Sequence, residues 1–145
     1  NTHWDKYTPN SYRYAYDLSA LPRVYSYLQG LEEKLKQVCA KELEQREFGL
    51  SSIKMKVLEA KLSIDYPGYY IPVHCDTLKK VITIIVYING EGNGTSLYDT
   101  NLENEKRLDR IPNRALVFIP HGNKSWHAVN ECKHTRKSIQ FMFTY

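Results

Sequence analysis

Hydrophobic and polar residues follow two different periods along this chain, and the change falls near Gly49. Across residues 22–46, apolar residues recur at steps of three and four with charged residues between them, which predicts an amphipathic helix. Pro22 suits the first helical turn, and Gly49 suits a position just past the last one. Gly30 leaves open whether this segment forms one helix or two.

After Gly49 the period becomes two, which is typical of strands with one buried face. Residues 53–66 alternate in this way, whereas residues 81–89 are apolar and rich in β-branched side chains, so we expect a fully buried strand there. Shorter strands are predicted at residues 70–74, 95–99, 115–119, 126–129 and 136–145. The polar residues 101–107 are interpreted as a loop, and residues 66–68 as a turn.

These elements predict a fold that is mainly β with an N-terminal helical segment. About eight short strands at near-regular spacing favour a double-sheet jelly roll or a closed barrel. The sequence has no Gly-rich phosphate loop and no alternation of helices with strands, which disfavours a doubly wound nucleotide-binding fold. Residues 1–18 are rich in tyrosine and poor in aliphatic residues, and we expect an extended segment there that packs on the outside of the domain.

Composition narrows the expected partners and compartment. The 145 residues carry a formal net charge of +4, which is mild, so no nucleic-acid partner is expected. No apolar run is long enough to cross a bilayer, and the first residues do not resemble a secretory signal. Three cysteines, an odd number, fit a reducing compartment better than a disulfide framework. We therefore expect a cytoplasmic location and no membrane partner, and the oligomeric state stays open.

The candidate chemistry lies in one short motif and two distant segments. His74 and Asp76 are two positions apart, and on an extended strand such residues point to the same side. His127, from another predicted strand, would complete two imidazoles and one carboxylate, which is the ligand set of non-haem Fe(II) oxygenases. Arg136 and Ser138 share one side of the last predicted strand. A planar guanidinium beside a hydroxyl suits a carboxylate, such as that of an acidic co-substrate.

Taken in order, a set of motifs resembles the 2-oxoglutarate- and Fe(II)-dependent oxygenases, and most closely their prolyl-4-hydroxylase-like branch. The set lies within residues 53–145 and comprises Tyr66-Pro67-Gly68, His74-x-Asp76, Lys80-x-x-Thr83-x-x-x-Tyr87-Ile88-Asn89, Gly94-Thr95-Ser96-Leu97-Tyr98, Ile111-Pro112, His127 and Arg136-x-Ser138. Each motif alone is weak. Their order, with the nine-residue step from His127 to Arg136, makes the set specific.

The resemblance implies a double-stranded β-helix, which is a cupin-like jelly roll, within a single oxygenase domain over residues 1–145. Residues 1–50 would form the N-terminal extended segment and helix, and residues 51–145 the catalytic β-barrel core. The resemblance implies iron held by His74, Asp76 and His127, with no catalytic residue beyond these metal ligands. It implies that Arg136 and Ser138 bind 2-oxoglutarate. The further residues that align with positions near the co-substrate are Tyr66, Tyr87 and Thr83.

The implied reaction is hydroxylation by O2, with Fe(II) as cofactor and 2-oxoglutarate as co-substrate, and with release of succinate and CO2. Ascorbate is left open as an additional reductant. Two departures from the branch bear on the substrate. Only four residues separate Asp76 from the strand expected at residue 81, and Arg136 stands where collagen-type enzymes use a lysine. A prolyl peptide, a free amino acid and another small molecule therefore all stay open as substrates.

Other classes of protein make different predictions for the same residues. A cupin-like metal enzyme independent of 2-oxoglutarate has no need of the Arg136-x-Ser138 pair. A non-catalytic jelly-roll binding module would place His74 and His127 at the surface. Nucleic-acid demethylases of the same superfamily resemble a pattern with a second arginine six residues after the first, and this chain has Met142 there, which argues against that class.

Overall fold

The computed structural model describes residues 12–45, 55–77 and 79–144, which form nine strands and one long helix. The strands are β1 (Arg13–Asp17), β2 (Lys56–Asp65), β3 (Ile71–His74), β4 (Ile82–Tyr87), β5 (Asn93–Leu97), β6 (Lys106–Asp109), β7 (Ala115–Phe118), β8 (His127–Val129) and β9 (Arg136–Thr144). Helix α1 (Pro22–Gln45) follows a short 3-10 turn at Leu18–Ala20. The prediction of a mainly β fold with an N-terminal helical segment is confirmed.

The strands form two antiparallel sheets that share one cavity. The larger sheet has the order β1-β2-β9-β4-β7, and the smaller has the order β3-β8-β5-β6. From β3 to β9 the chain crosses repeatedly from one sheet to the other, and residues of both sheets line the cavity. This two-sheet arrangement is consistent with a jelly roll.

Helix α1 covers one side of the larger sheet. It runs through Gly30 without interruption, so the segment forms one helix rather than two. Its apolar stripe packs on the main hydrophobic core through Tyr25, Leu28, Leu35 and Cys39. Among residues 12–45, 55–77 and 79–144, no helix combines the length and the apolar character that crossing a bilayer requires.

The two sides of the larger sheet differ in chemistry because successive strand residues point in opposite directions. We call the side under α1 the outer face and the side toward the cavity the inner face. The outer face carries buried apolar residues, chiefly Ala60, Ile82, Ile84, Phe141 and Phe143. Each large side chain of this set contributes roughly 1.5–3 kcal/mol by burial. The inner face carries buried polar residues, chiefly Ser63, Asp65, Thr83, Arg136 and Ser138.

The strand predictions were wrong in two places on the smaller sheet. Residues 101–107 were expected to form a loop, but Lys106–Asp109 form β6, an exposed strand at the edge of the sheet. An edge strand whose side chains are mostly exposed needs no alternating apolar pattern. Its partner β5 is Asn93–Leu97, two residues earlier than predicted. The predictions for residues 1–11, 46, 49, 53–54 and 145 lie outside the described residues.

Candidate metal centre

Two histidines and one aspartate meet on the smaller sheet at the cavity. His74 ends β3 and pairs directly with His127, the first residue of β8, and their ring centroids are 4.3 Å apart. Asp76 follows two residues after His74, and its Oδ1 lies 3.8 Å from the Nε2 of each histidine. One ligand atom from each residue falls within 4.8 Å of the other two. The three ligand candidates from two distant segments therefore face a common point.

Hydrogen bonds to the backbone fix which ring nitrogen of each histidine faces that point. Nδ1 of His74 lies 2.8 Å from the carbonyl oxygen of Pro72, and Nδ1 of His127 lies 2.8 Å from that of Ser125. A carbonyl oxygen only accepts, so Nδ1 is the donor and Nε2 carries the lone pair toward Asp76. Burial lowers the pKa of His127 below its ordinary value, which favours the neutral ring that a metal requires.

The donor set fits a divalent transition metal. Two imidazole nitrogens and one carboxylate on one side of an ion are typical of non-haem Fe(II) sites, which keep their other positions open. His127 and Asp76 are each 7% exposed, and the His74 side chain is 20% exposed. His127 is therefore not at the surface, where a non-catalytic binding module would place it.

Two neighbours hold the carboxylate of Asp76 in place. The ammonium of Lys80 lies 3.3 Å from Oδ1, and the Thr83 hydroxyl donates a 3.4 Å hydrogen bond to Oδ2. Both residues are almost fully buried. The sequence prediction placed Thr83 near the co-substrate; it lines the cavity, and the hydrogen bond it makes is to Asp76. Lys80 was part of the motif, but no role was predicted for it.

The same cavity carries a buried arginine from the opposite sheet. Arg136, at the start of β9, is 1% exposed and lines the cavity together with His74, Asp76 and His127. Its Nε and Nη1 are buried without a hydrogen-bond partner among the described residues. Buried guanidinium donors without partners are costly, so this end of the cavity is suited to an anion.

Ser138 lies two residues further along β9 and is fully buried. Its hydroxyl accepts a 3.4 Å hydrogen bond from Nε2 of Gln140, which lines the cavity. The predicted pairing of Arg136 and Ser138 on one side of β9 thus agrees with the inner-face placement of both residues. Arg136 lines the cavity, whereas Ser138 is not among the residues that line it.

The two tyrosines predicted near the co-substrate have different surroundings. Tyr87 is buried, its ring centroid is 5.6 Å from the Arg136 guanidinium, and its hydroxyl forms hydrogen bonds of 2.9 and 3.0 Å with the hydroxyl and backbone N–H of Thr95. Tyr66 is 42% exposed, packs edge-on against Tyr14 and is not among the residues that line the cavity. The structure therefore brings Tyr87 to Arg136 and leaves Tyr66 at the surface.

Sequence reasoning missed two charged residues beside Arg136. Asp65, at the end of β2, is fully buried, and Arg13 of β1 donates to both of its carboxylate oxygens. Because side chains alternate between the two faces along β2, the sequence pattern could have placed Asp65 on the same face as Ser63. Nothing in the local pattern identifies Arg13, because it meets Asp65 across 52 positions of the chain.

No protein-family model matches this sequence, and no curated protein sequence matches it. Solved structures do match. A Pseudomonas putida prolyl-4-hydroxylase is 16% identical with a TM-score of 0.63, and the match covers 91% of this chain and 70% of that one. The chain has the fold of the prolyl-4-hydroxylases. The resemblance read from the motifs is thereby confirmed at the level of fold.

Two further structures with this prolyl-4-hydroxylase fold extend the comparison. A viral collagen prolyl hydroxylase from Paramecium bursaria Chlorella virus-1, in a 2-oxoglutarate complex, is 14% identical with a TM-score of 0.57, covering 94% of this chain and 97% of that one. A Trichoplax adhaerens prolyl hydroxylase, in complex with a hypoxia inducible factor peptide fragment, is 19% identical with a TM-score of 0.58. That match covers 77% of this chain and 55% of the Trichoplax chain, so this chain spans about half of that enzyme's length.

Proposed function

We propose that this protein is a 2-oxoglutarate- and Fe(II)-dependent dioxygenase of the prolyl-4-hydroxylase-like branch. The observation that carries the proposal is one cavity with a metal-ligand set on one side and the buried, under-satisfied Arg136 on the other. A cupin-like metal enzyme that needs no acidic co-substrate has no use for such an arginine. The fold shared with the prolyl-4-hydroxylases supports the proposal independently of these residues.

Residues at the two ends of the cavity would have different roles. His74, Asp76 and His127 would hold Fe(II), and the backbone bonds of Pro72 and Ser125 keep both histidines oriented toward it. Bound iron with 2-oxoglutarate supplies the oxidising chemistry, in which O2 is consumed and succinate and CO2 are released. The protein contributes ligands, orientation and a cavity with restricted access to water.

Arg136 and Ser138 would receive the carboxylate of 2-oxoglutarate that lies away from the metal. The Arg136 fork can donate two parallel hydrogen bonds to that group, and a buried ion pair of this kind would satisfy the two donors that have no partner in residues 12–45, 55–77 and 79–144. Because the guanidinium is planar and almost fully buried, it would also orient the co-substrate toward the ligand set.

The substrate we propose is a peptidyl prolyl group or a small molecule, hydroxylated in a single domain over residues 1–145. The peptide bound by the Trichoplax enzyme supports a peptide substrate for this fold. We propose that the reaction occurs without a nucleic-acid or membrane partner.

The proposal predicts that the wild-type protein forms succinate from 2-oxoglutarate when Fe(II) and O2 are supplied. Asp76→Ala should abolish this turnover, because the ion loses its charged ligand. Asp109→Ala removes an exposed aspartate from β6 and should leave the rate unchanged. Absence of succinate from the wild-type protein, or equal rates for Asp76→Ala and wild type, would refute the assignment.

A further inference from the structure

Asp65 lies between two arginines on three neighbouring strands. It pairs with Arg13 of β1 on one side and with Arg136 of β9 on the other, in direct cross-strand register. All three side chains are nearly or fully buried, with exposures of 10%, 0% and 1% for Arg13, Asp65 and Arg136. Side chains at directly opposed positions of adjacent strands are close enough to interact, so both arginines compete for one carboxylate.

Of the two arginines, Arg13 makes the closer contact with the Asp65 carboxylate. Its Nε donates to Oδ1 of Asp65 at 2.5 Å and its Nη2 donates to Oδ2 at 3.0 Å, which is a bidentate contact. Arg136 Nε lies 3.7 Å from Oδ2, too far for a hydrogen bond. The carboxylate is therefore satisfied by β1, and the donors of Arg136 keep their capacity for another anion.

Arg13 is itself fixed in this position. Its guanidinium carbon lies 4.3 Å from the ring centroid of Tyr69, a fully buried aromatic residue. Burial opposes the charge of Arg13, but the hydrogen bond and the charge of Asp65 outweigh it, so its pKa lies above the ordinary value. A third buried arginine, Arg110, has its pKa lowered by burial, and the charge of Arg136 lowers it further. Arg13 and Arg136 thus flank one carboxylate, and the three side chains together carry a net positive charge.

Resting on the proposed function, we infer that Arg13 is a positioning residue that holds Asp65 away from Arg136 and so keeps Arg136 available to 2-oxoglutarate. Without Arg13, the cation that remains paired with the buried Asp65 carboxylate among the described residues is Arg136, at 3.7 Å. A bidentate pair between those two would occupy the donors that the co-substrate needs. The N-terminal strand β1 thereby becomes part of the co-substrate site, which the barrel over residues 51–145 does not complete alone.

The test is a double-mutant cycle on 2-oxoglutarate affinity, measured by calorimetry with Mn(II), which accepts the same nitrogen and oxygen ligands without supporting turnover. Arg13→Ala should weaken 2-oxoglutarate binding about tenfold, while its Mn(II) affinity stays at the wild-type value. Adding Asp65→Asn to Arg13→Ala should restore affinity to within about threefold of wild type, because the competing charge is gone. Arg107→Ala removes an exposed, ion-paired arginine and is the matched control.

The single variant Asp65→Asn distinguishes two roles of Asp65: competing with 2-oxoglutarate for Arg136, or holding Arg136 in place. This test does not require the Arg13→Ala variant to fold. It should bind 2-oxoglutarate at least as tightly as wild type. A loss of about tenfold or more in Asp65→Asn would show that Asp65 supports Arg136, and it would overturn the inference. Wild-type affinity in Arg13→Ala, or a double variant weaker than both single variants, would overturn it too. If the wild-type protein binds no 2-oxoglutarate, the proposed function itself fails, and this role of Arg13 fails with it.

Discussion

The outer and inner faces of the larger sheet use the same strands for opposite purposes. On β9, Phe141 and Phe143 point outward into an apolar core under α1, whereas Arg136 and Ser138 are buried on the inner face. Both sets are almost completely buried. Burial alone therefore does not identify a stabilising residue: the outer face gains free energy from burial, and the inner face retains costly polar groups.

The two faces therefore contribute differently to stability and to ligand binding. Within the part of the chain that the structure describes, Nε and Nη1 of Arg136 have no hydrogen-bond partner, and an anion that satisfies them would recover the free energy that this costs. Outer-face residues should control the free energy of unfolding, and inner-face residues should control ligand affinity.

The largest expected effect is on the outer face. Phe141→Ala should lower the free energy of unfolding by about 3–5 kcal/mol, because it removes a fully buried ring and leaves a cavity. Urea or thermal unfolding followed by circular dichroism measures the loss. Leu58→Ala, at a 41% exposed position of β2, is the control and should cost far less. Similar losses in the two variants would break the assignment of Phe141 to the core.

The inner face should show the reverse pattern at Arg136. Arg136→Ala should weaken 2-oxoglutarate binding by about 1.5–3 kcal/mol, which corresponds to roughly 10- to 150-fold. Its free energy of unfolding should fall less than that of Phe141→Ala, because Nε and Nη1 of Arg136 have no hydrogen-bond partner among the described residues and Asp65 keeps its pair with Arg13. Calorimetry and urea unfolding on the same preparation measure both quantities. Unchanged affinity would place the co-substrate anchor elsewhere.

The smallest effect is expected at Tyr87, an inner-face residue whose hydroxyl is already used by Thr95. Tyr87→Phe should lower the free energy of unfolding by about 1–2 kcal/mol, because the buried N–H of Thr95 loses its partner. The 2-oxoglutarate affinity should change much less than in Arg136→Ala. A tenfold or larger loss of affinity would instead support the sequence prediction that Tyr87 contacts the co-substrate.

The sequence made the local features of this molecule predictable and left the cross-strand contacts hidden. The change of period near Gly49 predicted α1 and most strands, and the spacing of His74 and Asp76 predicted their convergence, because both are rules of local backbone geometry. Sheet pairing is not local, so neither the register that joins Arg13 to Asp65 nor its effect on Arg136 could be read from spacing. Strand β6 was not predicted from the sequence, because an exposed edge strand needs no apolar pattern.

The central claim is that His74, Asp76 and His127 hold one metal ion in the cavity that Arg136 shares. Anaerobic titration with Fe(II), followed by calorimetry, tests it most directly. We predict one ion bound per chain in the wild-type protein, tighter binding when 2-oxoglutarate is present, and loss of binding in His127→Ala but not in His121→Ala, which alters an exposed histidine outside the site. Equal Fe(II) binding by His127→Ala and the wild-type protein, or no Fe(II) binding by either, would contradict the account.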